Sequence, residues 1–276
     1  MASASVDPNE LLDLALRLAR DAATLILDRP VDLGADTKAT PTDAVTVTDR
    51  ASERLILAGL KKARPQDAVV AEESGSSGEA TTDGVRWYVD PLDGTVNYLY
   101  DLPQYAVSIA VEAVGEVVAG VVLDVASGDA YTATRGGGAY CNGRRLACRD
   151  ETDPALALVA TGFSYDAARR AAQADVLRAV LPNVRDIRRM GAAALDLCAV
   201  AAGQVDGYFE ERLKPWDWAA GALIAEEAGA RTGTVGGGSL ATSTALAANP
   251  ALYDALEAML GAASGTAPAG SGRLAP

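Results

Sequence analysis

The chain reads as an α+β half followed by an α/β half, and three observations carry that reading. Residues 106–145 hold four apolar, strand-like runs, AVSIAVEAV, EVVAGVVLDV, DAYTATR and GAYCNGRRL, parted by the turn pairs Gly115-Glu116, Ser127-Gly128 and Asn142-Gly143, the pattern of an antiparallel meander. After Asp150 the pattern changes to strands alternating with helices, which predicts α/β layering. Two helical segments precede the meander. The expected division is an N-terminal α+β subdomain over 1–150, a C-terminal α/β subdomain over 151–262, and a Gly/Ser/Ala/Pro tail over 263–276 that is expected to be disordered.

In order along the chain, Leu11, Leu14, Leu18 and Leu25 recur at three-to-four spacing, so 7–28 is an amphipathic helix opened by Asp7-Pro8. A turn-rich stretch over 31–43 leads to a second helix, 47–63, with Thr48 and Asp49 in its first turn. A short apolar strand, 67–71, delivers Glu72 and Glu73, and the Ser/Gly-rich segment SGSSGEATTDG after it predicts a mobile loop. The strand 85–89 feeds Asp90-Pro91-Leu92-Asp93-Gly94-Thr95. Within the meander no catalytic residue is forced, and Gly136-Gly137-Gly138 is a turn. The second half reads as strand 155–162, helix 165–181, strand 184–190, helix 192–202 ended by Gly203, strand 205–210, helix 216–228 with Gly229 past its end, strand 242–248 and helix 250–260. Arg185, Arg188 and Arg189 read as structural charges or a subunit contact.

Composition excludes several classes of function. With 276 residues and 49% hydrophobic content the chain can bury a core. No apolar run reaches the ~20 residues of a membrane helix, and MASASVDPNE lacks a signal-peptide pattern, so a cytoplasmic location is expected. Cys141, Cys148 and Cys198 are odd in number and lack metal-ligand spacing, as expected of free thiols in a reducing compartment. A net charge of −13 argues against nonspecific nucleic-acid or anionic-membrane binding. The absence of histidine removes phosphohistidine chemistry, His-ligated zinc or iron, and Ser-His-Asp triads. Carboxylate, hydroxyl and metal chemistry remain.

The hexapeptide at 90–95 concentrates that chemistry. Two carboxylates meet on a tight turn, Pro91 fixes φ, and Gly94 lets the backbone approach a ligand. The Gly94 and Thr95 amides can face an anion if a short helix opens at Thr95. Hard oxygen ligands beside an anion cradle point to Mg²⁺ and phosphate; an Asp-rich turn capping a helix is the alternative for this stretch alone. Glu72 lies 18 residues before Asp90 on the preceding strand, so adjacent strands can bring Glu72, Asp90 and Asp93 to one point. Taken singly, Asp49 is an N-cap, Lys38 a loop charge, Glu72-Glu73 an edge pair and Asp217 a charge compensating a helix dipole.

Together, the blocks KATPTDAVTVTD (Lys38 to Asp49), Ala71-Glu72-Glu73-Ser74, DPLDGT and PWDWAAG (Pro215 to Gly221) resemble the inositol monophosphatase family of Mg²⁺-dependent, lithium-sensitive phosphatases, in its order and near its spacing. The match is closest to bacterial members, and weaker similarity runs from about residue 11 to 258. The resemblance implies a layered α-β-α-β-α sandwich, a site between the two subdomains and a homodimer. It implies one ion held by Glu72, Asp90 and the Leu92 carbonyl, and a second held by Asp90, Asp93 and Asp217. Two or three Mg²⁺ are expected, with Mn²⁺ as substitute, since carboxylates without histidine or thiolate select hard ions. Such cations are needed because two unit charges ~4 Å apart repel by about 4 kcal/mol at an effective dielectric near 20.

By the same resemblance, Thr95 and Asp49 orient the attacking water, with Glu72 close by. Asp93, Gly94, Thr95, Ala193, Glu210 and Asp217 contact substrate, and Lys38, eleven residues ahead of Asp49, matches a family lysine. Ala71 stands where the family commonly has Gly, and Lys214 where many eukaryotic relatives have His, so substrate preference does not transfer from those relatives. No covalent phosphoenzyme is implied, because haloacid-dehalogenase phosphatases use D-x-D-x-T and here Asp90 and Asp93 are three apart. The expected substrate is the small phosphate monoester inositol 1-phosphate; histidinol phosphate, fructose 1,6-bisphosphate and other small sugar or nucleotide phosphates are the alternatives. Bacterial relatives also act as binding partners of the transcription machinery, a different class of function.

Overall fold

The computed structural model describes residues 7–38, 40–78 and 84–265. The first layer is two helices. Helix α1 (Pro8–Leu27) is capped by Asp7, whose side chain accepts from the Asn9 N–H, and buries Leu11, Leu14, Leu18 and Ile26 along one stripe. Helix α2 (Val47–Ala63) is capped by Thr46, with Asp49 reaching back to complete a capping box. A two-stranded hairpin, β1 (Asp36–Thr37) and β2 (Ala44–Val45), joins them.

The second layer is an eight-stranded sheet of β3 (Ala68–Ala71), β4 (Gly75–Ser77), β5 (Val85–Asp93), β6 (Ala106–Ala113), β7 (Glu116–Asp124), β8 (Ala130–Thr134), β9 (Gly138–Cys141) and β10 (Arg144–Arg145). Its order is β10-β9-β8-β7-β6-β5-β3-β4, antiparallel except where β3 runs parallel to β5. Side chains alternate across the pleat. On β6, Val107, Ile109 and Val111 pack beneath α1 and α2, while Ala106 and Ala110 face the opposite core. Helix α3 (Thr95–Leu99) opens directly after β5.

The middle layer is α5 (Ala193–Ala201) and α6 (Pro215–Glu227), which follow α4 (Ala167–Val180) in the chain. Small residues let it sit close: a Cβ on Gly120 of β7 would lie 3.1 Å from the Ala220 backbone of α6. Beyond it lies a five-stranded sheet of β11 (Leu158–Thr161), β12 (Asp186–Arg188), β13 (Gly207–Glu211), β14 (Arg231–Thr234) and β15 (Thr244–Ala248), in the order β12-β11-β13-β15-β14. Tyr208, Ala245 and Ala247 face the middle layer; Phe209, Leu246 and Ala248 face α4 and α7 (Pro250–Ser264). The result is the α-β-α-β-α sandwich that the sequence resemblance implies.

Several boundaries differ from the sequence reading. Gly75–Ser77, read as loop, pairs with β3 as an edge strand, and residues 79–83 of that loop lie outside the described residues. The last helix continues past 260 to Ser264, where Gly265 caps it in the left-handed region, so 263–264 are helical rather than tail; residues 266–276 lie outside the description. Strand 155–162 contracts to Leu158–Thr161 because Asp153-Pro154 starts a 3₁₀ turn, and strand 184–190 contracts to the three residues that pair with β11. All three cysteines are free, as expected. Among the described residues no helix is long and apolar enough to cross a membrane.

Candidate active site

Backbone pairing brings the acidic residues together. The parallel register of β3 and β5 sets Ala71 opposite Val89, and the Glu72 N–H donates to the Val89 carbonyl at 3.2 Å, so Glu72 arrives beside Asp90. On the other edge of β5, Asp90 pairs with Ser108 and Asp93 with Ala106, three steps on one strand against two on the other. That one-residue bulge puts Asp90 and Asp93 on the same face, which a regular strand could not do for residues three apart. Gly94 then turns the chain at φ +88°, where an added Cβ would meet the Gln104 carbonyl at 2.7 Å. The helix that opens at Thr95 is the one the anion-cradle reading requires.

The second half of the chain supplies the opposite wall. At the start of α5, the Ala194 N–H donates to Asp93 Oδ2 at 2.8 Å, and Ala193 lines the same cleft. Strand β13 delivers Glu210, whose Oε2 accepts from the Tyr208 hydroxyl at 2.8 Å. Helix α6 begins with Pro215 and holds Asp217 in its first turn, where Asp217 Oδ2 accepts the Lys214 N–H at 2.7 Å. Ser108 on β6 donates to the Trp216 carbonyl at 3.0 Å and ties this turn to the first sheet. From the N-terminal hairpin, Lys38 Nζ bonds Glu72 at 2.7 Å and also Glu73, while Thr42 donates to the Tyr165 carbonyl at 2.9 Å across the opening. The open cleft measures about 620 Å³ and is lined by Lys38, Glu72, Asp90, Leu92, Asp93, Gly94, Thr95, Ala193, Glu210 and Asp217, which places nearly every expected residue in one cleft. Asp49 stands behind it, fully buried, with Oδ1 accepting from the Thr95 hydroxyl at 2.8 Å.

This concentration of acid has an electrostatic cost. Burial, and then the charges of Glu72, Asp93 and Asp217, push the Asp90 carboxyl well above the usual carboxylate range. Asp217 is raised by burial and then by Glu72. Asp93 is pushed up to about 7 by burial, with the Ala194 N–H opposing and Glu210 and Glu72 adding to the rise. Burial also raises Glu210 against the Tyr208 hydroxyl and Arg189, and raises Asp49 against hydrogen bonds from Thr46 and Thr95. Burial opposes the Lys38 charge, yet Glu72 and Glu73 hold it above the usual lysine value.

Among the described residues no three acidic side chains already meet at coordinating distance around one point; Glu72 is drawn to Lys38, Asp93 to Ala194 and Asp217 to Lys214. The donor chemistry nevertheless fits a hard divalent cation. Glu72, Asp90, Asp93, Asp217 and the Leu92 carbonyl offer only oxygen, and their mutual repulsion is relieved by positive charge.

Some contributors went unread in the sequence. Tyr208 stands two residues before Glu210 and so shares its face of β13, a period-two signal. Arg189, read as structural, lines the cleft, whereas Arg188 pairs with Asp186. Gly162 had no local signal: a Cβ there would lie 1.9 Å from Glu210 Oε2.

The layered fold and its acidic cleft are those of a phosphatase. The model of the inositol monophosphatase family matches residues 7–265, and the chain belongs to that family, whose members are generally metal-dependent. It is 45% identical over 286 residues to the inositol-1-monophosphatase of Mycobacterium leprae, covering 95% of this chain and 97% of that protein. It is 41% identical over 252 residues to the Nus factor SuhB of Escherichia coli K12, covering 89% and 94%. The solved structure of Mycobacterium tuberculosis SuhB superposes with a TM-score of 0.81 at 41% identity, over 95% of this chain and 99% of that one.

Proposed function

We propose that the protein is a Mg²⁺-dependent phosphomonoesterase that hydrolyses inositol 1-phosphate to inositol and phosphate. The observation that carries this reading is one cleft with Glu72, Asp90, Asp93 and Asp217 on its floor and Glu210 on its wall. Two or three bound Mg²⁺, with Mn²⁺ as substitute, held by Glu72, Asp90, the Leu92 carbonyl, Asp93 and Asp217, would supply Lewis-acid charge to activate water and stabilise the leaving oxygen.

The chain's own groups do the rest. The Thr95 hydroxyl, committed to Asp49, turns a lone pair toward the attacking water and relays its proton to Asp49, whose raised affinity suits it to receive one. The Gly94 and Thr95 backbone holds the phosphate, and Ala193 at the start of α5 bounds the polyol. Glu210, oriented by Tyr208, accepts a substrate hydroxyl. As the water oxygen bonds to phosphorus, the phosphorus–inositol oxygen bond breaks, and the leaving alkoxide oxygen takes one proton from solvent water to depart as the alcohol. In this reading the cleft lies between subdomains 1–150 and 151–262, the assembly is a homodimer, and lithium inhibits.

Phosphate release from inositol 1-phosphate, histidinol phosphate and fructose 1,6-bisphosphate, each with Mg²⁺ and with EDTA, tests the proposal. Preference for inositol 1-phosphate that EDTA abolishes supports it; preference for histidinol phosphate keeps the chemistry and overturns the polyol contacts. The similarity to proteins named Nus factor SuhB favours a second role, binding to the transcription machinery, for which capture of a partner that persists in Asp93→Asn is the expected sign.

A further inference from the structure

Helix α2 carries three buried polar side chains on one face, and each grips a different piece of the site. Asp49, Ser52 and Glu53 stand at i, i+3 and i+4, the spacing that stacks side chains on one side of a helix, and they are only 0%, 0% and 4% exposed. A buried polar stripe is costly unless every group is satisfied. Here all three are. Asp49 Oδ1 accepts from the Thr95 hydroxyl at 2.8 Å, Ser52 Oγ donates to the Pro91 carbonyl at 2.8 Å, and Glu53 Oε2 accepts the Glu73 N–H at 2.8 Å. The helix therefore holds the start of α3, the bulge of β5 and the turn after β3 at once.

The last two grips fix groups placed around the cation. The Pro91–Leu92 peptide is pinned at its carbonyl by Ser52 and at its N–H by Asp90 Oδ1 at 3.0 Å; it is the peptide immediately before the Leu92 carbonyl, which itself accepts from the Thr95 hydroxyl at 3.1 Å. Glu72 is held on one side by its own N–H to the Val89 carbonyl, and on the other by the Glu73 N–H to Glu53. We propose that Ser52 and Glu53 are positioning residues of this site: they aim the Leu92 carbonyl and the Glu72 carboxylate, and so set the affinity for the divalent cation, without touching substrate. The inference rests on the metal-dependent reading above.

The test is calorimetric titration of the metal-stripped full chain with Mn²⁺ alone, with thermal melting in parallel, for wild type and for Ser52→Ala, Glu53→Ala, Glu53→Gln, Glu53→Asp and Ile56→Val. Ser52→Ala and Glu53→Ala are expected to weaken Mn²⁺ binding about 10-fold or more. Glu53→Gln still accepts the Glu73 N–H and is expected to bind like wild type. Glu53→Asp, folded but one methylene short, weakens binding in the same direction and covers failure of the alanine variants to fold. Ile56, buried on the same helix, controls for packing: its valine variant lowers the melting temperature and leaves Mn²⁺ affinity alone. Wild-type affinity in Ser52→Ala, Glu53→Ala or Glu53→Asp overturns the proposal, as does an equal loss in Ile56→Val. A wild-type protein that binds no Mn²⁺ overturns the metal-dependent reading itself, and this proposal with it.

Discussion

The Thr95 hydroxyl reaches 46 positions back along the sequence to donate to Asp49 Oδ1 at 2.8 Å, joining the first turn of α3 to the first turn of α2. Because this contact aligns the attacking water in the proposed reaction, Thr95→Ala is expected to lower kcat by about 10²–10⁴-fold with little change in KM. Asp49 also accepts the Thr46 N–H at 2.8 Å and the Thr46 hydroxyl through its other oxygen. Asn has one accepting oxygen where Asp49 uses two, so Asp49→Asn combines the rate loss with the loss of one hydrogen bond, about 1 kcal/mol of stability. Steady-state kinetics and thermal melts of the two variants separate the effects.

Asp93→Asn separates charge from structure. The amide oxygen of Asn still accepts the Ala194 N–H that now bonds Asp93 Oδ2, so the anchor of α5 survives and circular dichroism is expected to be unchanged. Turnover of inositol 1-phosphate is expected to vanish. Normal turnover in this variant sinks the assignment of Asp93 as a cation ligand.

How far the site is legible in sequence depends on how local its causes are. The helices are legible because caps and apolar spacing are local: Asp7 and Pro8 open α1, and Pro215 with Asp217 opens α6. The meander is legible from its turn pairs. Asp90 and Asp93 are visible as a motif, yet their shared face follows from the register with β6, which no local pattern contains. Ser52 and Glu53 look like the polar face of an ordinary helix until their burial is known. Strand β14 escaped because its residues, RTGT, form no apolar run; Gly233 there admits the Tyr253 hydroxyl, 2.3 Å from where a Cβ would stand.

The carboxylate cluster is expected to make the metal-free protein more stable at acid pH. Burial and mutual charge raise Asp90, Asp93 and Asp217 above their ordinary values, so the native state keeps protons that the unfolded chain has released, and stability falls as pH rises. For Asp93 this contribution is fully present below its ordinary 3.8 and is lost as pH rises through about 7. Metal-stripped protein is therefore expected to melt at a higher temperature near pH 6 than near pH 8, and Asp93→Asn to flatten that slope. In the proposed metal-dependent reading Mg²⁺ competes with protons for the same oxygens, so its stabilisation, about 2.7 kcal/mol at 100 times Kd, is expected to be larger at the higher pH. Melting curves with and without EDTA at the two pH values check both signs.

Gly162 and Glu210 form the last coupled pair, one on the loop after β11 and the other on β13. A methyl group at 162 would stand 1.9 Å from Glu210 Oε2 and 2.1 Å from Glu210 Cδ. Oε2 is also the oxygen that accepts from the Tyr208 hydroxyl, so the carboxylate has to move, and the proposed contact with a substrate hydroxyl goes with it. Loss of a hydrogen bond to a charged group costs about 1.5–3 kcal/mol, so Gly162→Ala and Glu210→Gln are each expected to lower kcat/KM for inositol 1-phosphate by roughly 10–100-fold. p-Nitrophenyl phosphate carries no polyol hydroxyl, and its hydrolysis is expected to be nearly unchanged in both variants. Equal losses on the two substrates would place Glu210 in the cation or phosphate machinery instead of the polyol pocket. Because the three atoms nearest a methyl group at 162 all belong to Glu210, the double variant is expected to be no worse than either single one, a non-additivity that ordinary damage to two independent positions would not produce.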